Sequence, residues 1–179
     1  MQQTMKKIKL YIATSLDGYI ARPNGSVDWL ESMPNPNQLD YGYHQFIETI
    51  DTVIMGRKTY EEVIGFDIPW PYADSQTLVV TRDPELKVRS ENTQLLTSDL
   101  KSSLEELRQQ SGKDIWVVGG GVLISHLLSL HLIDEMILFI MPIILGDGIP
   151  LFPKGATEKM LKLEKVVTYE TGVVEMRYA

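Results

Sequence analysis

Ile54-Met55-Gly56-Arg57-Lys58-Thr59-Tyr60-Glu61, matched further along by Trp116-Val117-Val118-Gly119-Gly120-Gly121-Val122-Leu123, decides how this 179-residue chain folds. Each stretch reads as an apolar strand running straight into the start of a helix. The first four N–H groups of a helix have no partner inside it, and the macrodipole adds partial positive charge there, so each junction is a ready anion site. Two such sites suit a pyrophosphate or a dinucleotide.

Around these junctions, strands and helices alternate. Residues 9–14 form a short, largely apolar run with the pattern of a strand covered on both faces, and its place in the order makes it central. Asp17-Gly18 turns the chain. The stretch 22–39, rich in proline and asparagine, has the chemistry of a long loop, and loops of this length are often functional lids. Tyr43, Phe46, Ile47 and Ile50 recur at helical spacing, which predicts a helix over 40–50 with Asp40 in its first turn as a cap. Strands follow at 52–55, 76–81 and, less strongly marked, 93–97, with a helix at 58–64 closed by Gly65.

Ser98 or Asp99 caps a helix whose Leu100, Leu104 and Leu107 form one stripe, with Gly112 beyond its end. A buried strand at 115–118, a helix at 122–130 and a further buried strand at 135–140 come next. Residues 165–169 and 173–178 flank Thr171-Gly172 as an antiparallel hairpin. This order predicts an α/β protein with a mixed, mostly parallel central sheet, helices on both faces and a C-terminal antiparallel hairpin. No repeat or linker divides residues 1–179, and one domain of this length buries about two-thirds of its unfolded surface.

Composition narrows the function. Seventeen Lys and Arg against 24 Asp and Glu leave a formal charge of −7, which argues against nucleic-acid binding through a basic face. The chain has no cysteine, so disulfides, thiolate metal sites and a thiol nucleophile are excluded, and the composition is compatible with a reducing, cytoplasmic setting. No secretory segment or membrane-length apolar run is present. His44, His126 and His131 stand in different elements without ligand spacing, so no metal site is expected. A Rossmann fingerprint is also missing, because the first strand ends in Ala13-Thr14-Ser15-Leu16-Asp17-Gly18 and the glycine triplet lies in the second half; there is no Walker A loop either.

Ser15-Leu16-Asp17-Gly18-Tyr19-Ile20-Ala21, Val27-Asp28-Trp29-Leu30, Met55-Gly56-Arg57-Lys58-Thr59-Tyr60, Val79-Val80-Thr81-Arg82, Val118-Gly119-Gly120-Gly121 and Pro142-Ile143-Ile144-Leu145-Gly146-Asp147-Gly148 are specific through their order and spacing. Together they resemble the dihydrofolate reductase superfamily nearly end to end, and most closely the reductase domain of bacterial riboflavin-synthesis deaminase-reductases. The resemblance implies a dihydrofolate-reductase-like three-layer fold and NADPH as cofactor. By the same analogy the activity is hydride transfer resembling 5-amino-6-(5-phosphoribosylamino)uracil reductase, which reduces the ribose of its substrate to a ribitol chain.

The same resemblance assigns residues. Gly56, Arg57, Lys58, Thr59, Gly119, Gly120, Gly121, Val122 and Leu123 would hold the cofactor phosphates. Glycine lets backbone approach a phosphate closely. The family's Gly-Gly cis peptide would fall at Gly119-Gly120, where a non-proline cis bond costs about 3 kcal/mol. Thr81 and Arg82 would meet the 2′-phosphate, which favours NADPH over NADH, although Asp83 stands adjacent and is able to pair with a neighbour. For Arg57 a surface salt bridge competes with a phosphate contact. Backbone groups of Ala13 and Ile20 would receive the nicotinamide carboxamide.

On the substrate side, Asp40 corresponds to the acidic residue that anchors the pterin in folate enzymes, but Tyr41, Tyr43 and His44 depart from the folate pattern. Asp40 also serves as an N-cap, and the two roles stay open. Asp28 and Trp29 resemble the lid, where Trp29 shields the hydride path or simply closes the core edge. Asp28, Trp29, Asp40 and Tyr43 are thus the expected substrate residues, with Asp40 and Trp29 closest to the chemistry. A homodimer through a sheet edge is common in the riboflavin branch. Two alternatives remain: true dihydrofolate reduction, and a non-catalytic NADPH-binding module that has lost its substrate pocket.

Overall fold

The computed structural model describes residues 5–66 and 68–179. Its main sheet has eight strands in the order β5-β4-β3-β6-β1-β7-β10-β9. They are β1 (Ile8–Ser15), β3 (Ile50–Gly56), β4 (Gln76–Val80), β5 (Thr93–Leu96), β6 (Asp114–Gly119), β7 (Glu135–Met141), β9 (Leu163–Thr168) and β10 (Val174–Tyr178). From β5 to β7 all neighbours run parallel, while β10 lies antiparallel to both β7 and β9. A second sheet pairs β2 (Tyr19–Ala21) with β8 (Ile149–Pro150), antiparallel. The first strand is interior, as its apolar run predicts.

Alternation along the strands feeds two cores. Ile8 and Leu10 of β1, with Met136 and Leu138 of β7, meet the leucines of α4 (Leu100–Arg108) and α5 (Gly121–Ser129) on one face. Tyr11 and Ala13, with Ile137, Phe139 and Met141, meet Trp29 of α1 (Asp28–Glu31), Phe46 of α2 (Tyr43–Ile47) and Tyr60 of α3 (Arg57–Ile64) on the other. Because both sides of β7 are covered, its sequence after Glu135 is apolar without a break. In α4 the Asp99 carboxylate accepts the N–H groups of Lys101 and Ser102, and Leu100, Leu104 and Leu107 are buried. Burial of each such leucine stabilises the fold by about 1.5–3 kcal/mol.

Three expectations need correction. The helix expected over 40–50 is only Tyr43–Ile47: Tyr41 and Gly42 take φ of 51° and 79°, which breaks the helix before it, and Thr49 donates both its N–H and its hydroxyl to the Phe46 carbonyl, which ends it. The long loop after Arg22 contains α1, held by the burial of Trp29 rather than by a side-chain cap. The peptide bond expected to be cis at Gly119-Gly120 is not, since no cis bond occurs among the described residues. Gly120 makes the turn instead, with φ 99° and ψ 104°, a conformation open to glycine because it has no Cβ.

Candidate active site

The two strand-to-helix junctions lie side by side because β3 and β6 are parallel neighbours, with Met55 paired to Gly119. A Cβ placed on Gly120 would sit 3.3 Å from Thr59 Oγ1 and 3.9 Å from the Gly56 nitrogen, and one on Gly121 would lie only 2.5 Å from the Pro150 carbonyl oxygen. The glycines therefore let α5 start tight against α3 on one side and β8 on the other. Neither α3 nor α5 has a side-chain cap, in contrast to α4. Both helix N-termini stand side by side at the C-terminal ends of β3 and β6, and Val122 in the first turn of α5 is 82% exposed.

The next strand over brings more polar groups to the same edge. Gly56 pairs with Val80, so Thr81 and Arg82 leave β4 beside the start of α3. Thr81 is buried and its Oγ1 accepts the Asp83 N–H at 3.0 Å, while Arg82 and Lys58 are exposed and have no ion pair among the described residues. Arg57 is differently placed. Its Nε donates to Glu61 at 2.7 Å and its Nη1 to Asp83 at 3.1 Å, so the salt bridge weighed for it is present, and the neighbour that Asp83 pairs with is Arg57.

On the other side of β6 the sheet opens. Pairing between β1 and β6 runs only from Ile8 to Leu10, whereas β1 stays paired to β7 as far as Ser15. Ala13 lies on the diverging part and packs with the aromatic core; Ile20, in β2, packs instead with the core of α4 and α5. The Tyr11 carbonyl in this stretch accepts the Trp116 indole N–H at 3.0 Å.

The expected substrate residues separate into two places. Asp40 and Tyr43 stand with Tyr11 at the entry to α2, where Tyr11 stacks on Phe46 at 4.3 Å and lies edge-on to Tyr43 at 6.2 Å. The Asp40 carboxylate accepts from His44 Nδ1 at 2.8 Å and from the Gly42 and His44 N–H groups, and these contacts hold its pKa down at about 2. The N-cap position expected for Asp40 is held by Gly42, and Asp40 supports the first turn from two residues before that glycine; the substrate role remains compatible with this position. Asp28 is on the surface, bound by Arg22 and Ser26, which bring it likewise to about 2. Trp29 is fully buried, and its indole N–H finds no acceptor among the described residues.

Sequence reasoning missed three participants. Pro150 closes on Gly121 from a two-residue strand too short to leave a pattern. Tyr11 was hidden inside an apolar run. Glu175, buried in β10, accepts the Tyr169 hydroxyl at 2.7 Å and pairs with Arg177, and its charge contributes to keeping the Tyr11 phenol neutral beyond its usual range, after burial itself; the alternation of the final strand was its only signal. Among the described residues no three His, Asp or Glu side chains come close enough to hold a metal ion, and no helix is long and apolar enough to cross a membrane.

Comparison with known proteins places the chain in a family and a fold. The RibD C-terminal domain family matches residues 6–175. The uncharacterized protein YwjB of Bacillus subtilis is 38% identical over 159 residues, spanning 89% of this chain and 90% of that protein. A solved structure of a protein ascribed to riboflavin biosynthesis, from Shewanella sp. PV-4, superposes with a TM-score of 0.84 at 33% identity, over 96% of this chain and 97% of that one. Dihydrofolate reductase from Enterococcus faecalis, solved with NADP(H), superposes with a TM-score of 0.67 over 98% of this chain and 96% of that one, a likeness of fold at 17% identity. The fold is thus dihydrofolate-reductase-like, as its motifs imply.

Proposed function

Because the chain belongs to the RibD C-terminal domain family, we propose that it is an NADPH-dependent reductase acting on a small substrate resembling 5-amino-6-(5-phosphoribosylamino)uracil. The observation that carries this reading is the pair of helix N-termini at Gly56 and Gly120 without side-chain caps, packed together and flanked by Lys58 and Arg82, cations with no ion pair among the described residues. A space that a single Cβ on Gly120 would crowd, lined by backbone donors, fits a pyrophosphate.

In this reading Gly56 to Thr59 and Gly119 to Leu123 hold the phosphates, Thr81 and Arg82 hold the 2′-phosphate, and Ala13 and Ile20 border the nicotinamide. The bound cofactor supplies the hydride. The chain supplies orientation and dryness: Trp29 fills the core behind the long loop and excludes water, and the parting of β1 from β6 leaves room for a ring. Asp40, ionised far below neutral pH, is suited to accept hydrogen bonds from substrate N–H groups and unsuited to donate a proton.

Titration with NADPH and NADH, followed by Trp quenching, tests the cofactor half. NADPH-selective binding is expected, and turnover of riboflavin intermediates but not of dihydrofolate should follow. A folded protein that binds neither dinucleotide would end the reading. One observation favours a non-catalytic binding module instead: the Asp40 carboxylate is already engaged by α2. Tight NADPH binding without turnover of any candidate substrate would select it.

A further inference from the structure

Arg57, in the first turn of α3, is clasped by two carboxylates while its neighbours Lys58 and Arg82 have no ion pair among the described residues. Glu61 takes Nε from one turn further along the helix, and Asp83 takes Nη1 from the loop after β4. Asp83 is itself held in place. Its N–H donates to Thr81 Oγ1 at 3.0 Å, its Oδ1 accepts the Glu85 N–H at 3.0 Å, and its remaining oxygen faces Arg57. The carboxylate thus follows directly after the residues that would meet a 2′-phosphate and is oriented by its own turn.

This arrangement has an electrostatic consequence. Two acids against one guanidinium more than cancel it, so positive charge at this end of the site comes from Lys58 and Arg82 rather than from Arg57. A fixed carboxylate beside a phosphate repels it, whereas a ribose hydroxyl at the same place carries no charge and is not penalised.

Resting on the dinucleotide reading above, we propose that Asp83 is a specificity-determining residue, which through its charge and its hold on Arg57 limits how strongly the site prefers a 2′-phosphorylated dinucleotide to its 2′-hydroxyl counterpart. Glu61 assists from the helix. The pair acts chiefly at the 2′-phosphate end of the site, since Asp83 directly follows Thr81 and Arg82, whereas in this reading the pyrophosphate is held mainly by the backbone N–H groups that begin α3 and α5.

Asp83→Asn tests this, because asparagine keeps an oxygen for the Glu85 N–H but turns an amide NH2, a donor, toward the Arg57 guanidinium, so the charge and the hold on Arg57 are removed together. Dissociation constants for NADPH and NADH are measured by Trp quenching on the wild type, Asp83→Asn and Glu61→Gln, with thermal melts to show that each is folded. The expected result for Asp83→Asn is NADPH affinity raised roughly three- to tenfold, with the gain shrinking as salt is added, and NADH affinity unchanged. Glu61→Gln should shift the ratio the same way by less. A selective loss of NADPH affinity in Asp83→Asn would show that the carboxylate serves to position Arg57, and equal changes for both dinucleotides, or none, would equally overturn the proposal while leaving the reductase reading intact. Binding of neither dinucleotide by any of the three proteins would remove both.

Discussion

Arg82 and Gly120 carry opposite kinds of information about the site, one through charge and one through the absence of a side chain. Arg82 is exposed, follows β4 and has no acidic partner among the described residues, so its guanidinium is available to a phosphate. Arg82→Ala should weaken NADPH about tenfold and leave NADH nearly unaffected, since a charge-assisted contact is lost only where the third phosphate exists; equal losses for both would remove Arg82 from the 2′-phosphate role. Gly120 takes φ 99° with Thr59 Oγ1 at 3.3 Å from where a Cβ would be. Gly120→Ala should therefore cost at least about 1 kcal/mol of stability from backbone strain and lower dinucleotide affinity at the same time. A urea melt and a titration on the same sample separate the two effects, and an unchanged affinity would show that no ligand approaches this turn. Both residues were legible in the sequence because they sit at strand ends, where motif and geometry coincide. Asp83 was legible only as a neighbour, since a partner 26 residues away leaves no local pattern.

Helix α2 shows where pattern reading stops. Its apolar spacing named Phe46 and Ile47 correctly, but spacing does not register the left-handed backbone at Tyr41 and Gly42, nor that Ile50 belongs to the next strand. The short pieces α1, β2 and β8 escaped for a related reason: two to four residues hold too few positions for a period, and tertiary contacts create them. At the helix entry, Asp40 accepts from Gly42 and His44, and its pKa of about 2 lies below its ordinary value near 4. A lowered carboxylate pKa contributes stability that is complete above the unfolded value and is lost as the pH falls through the folded one. Asp40→Ala should accordingly be less stable than wild type at pH 7, with the difference closing between about pH 4 and pH 2. Urea melts across that range check the sign, and dinucleotide binding should be unaltered because the phosphate junctions lie on other elements. Lost turnover with unchanged stability would instead make Asp40 a substrate residue and not a cap.

At the scale of the molecule, the final hairpin closes the sheet and also clasps the segment that leads into α2. Tyr41 donates to Thr171 Oγ1 at 3.1 Å, its ring meets that of Tyr169 edge-on at 4.9 Å, and Asn37 contacts Glu170. Residues more than 120 positions apart thereby fix the end of the long loop that carries Trp29. The centre of this contact is Tyr169, whose hydroxyl donates to the buried Glu175. Burial first, then the hydrogen bond to that carboxylate and its charge, push the phenol up to about 12 from its usual 10. A raised pKa means stability that is complete below the unfolded value and is lost as the pH rises through the folded one. Tyr169→Phe removes the donor and leaves Glu175 with Arg177 alone, so it should cost about 1 kcal/mol at pH 8, low for a hydrogen bond to a charged group because the phenol is only half-buried. Above pH 10 the unfolded wild type begins to ionise Tyr169, and the difference between the two proteins should shrink until it vanishes near pH 12. Urea melts at pH 8, 10 and 11 decide the matter: a gap that stays constant with pH would mean that the Tyr169 ring holds the loop by packing, and that the hydrogen bond to Glu175 contributes nothing.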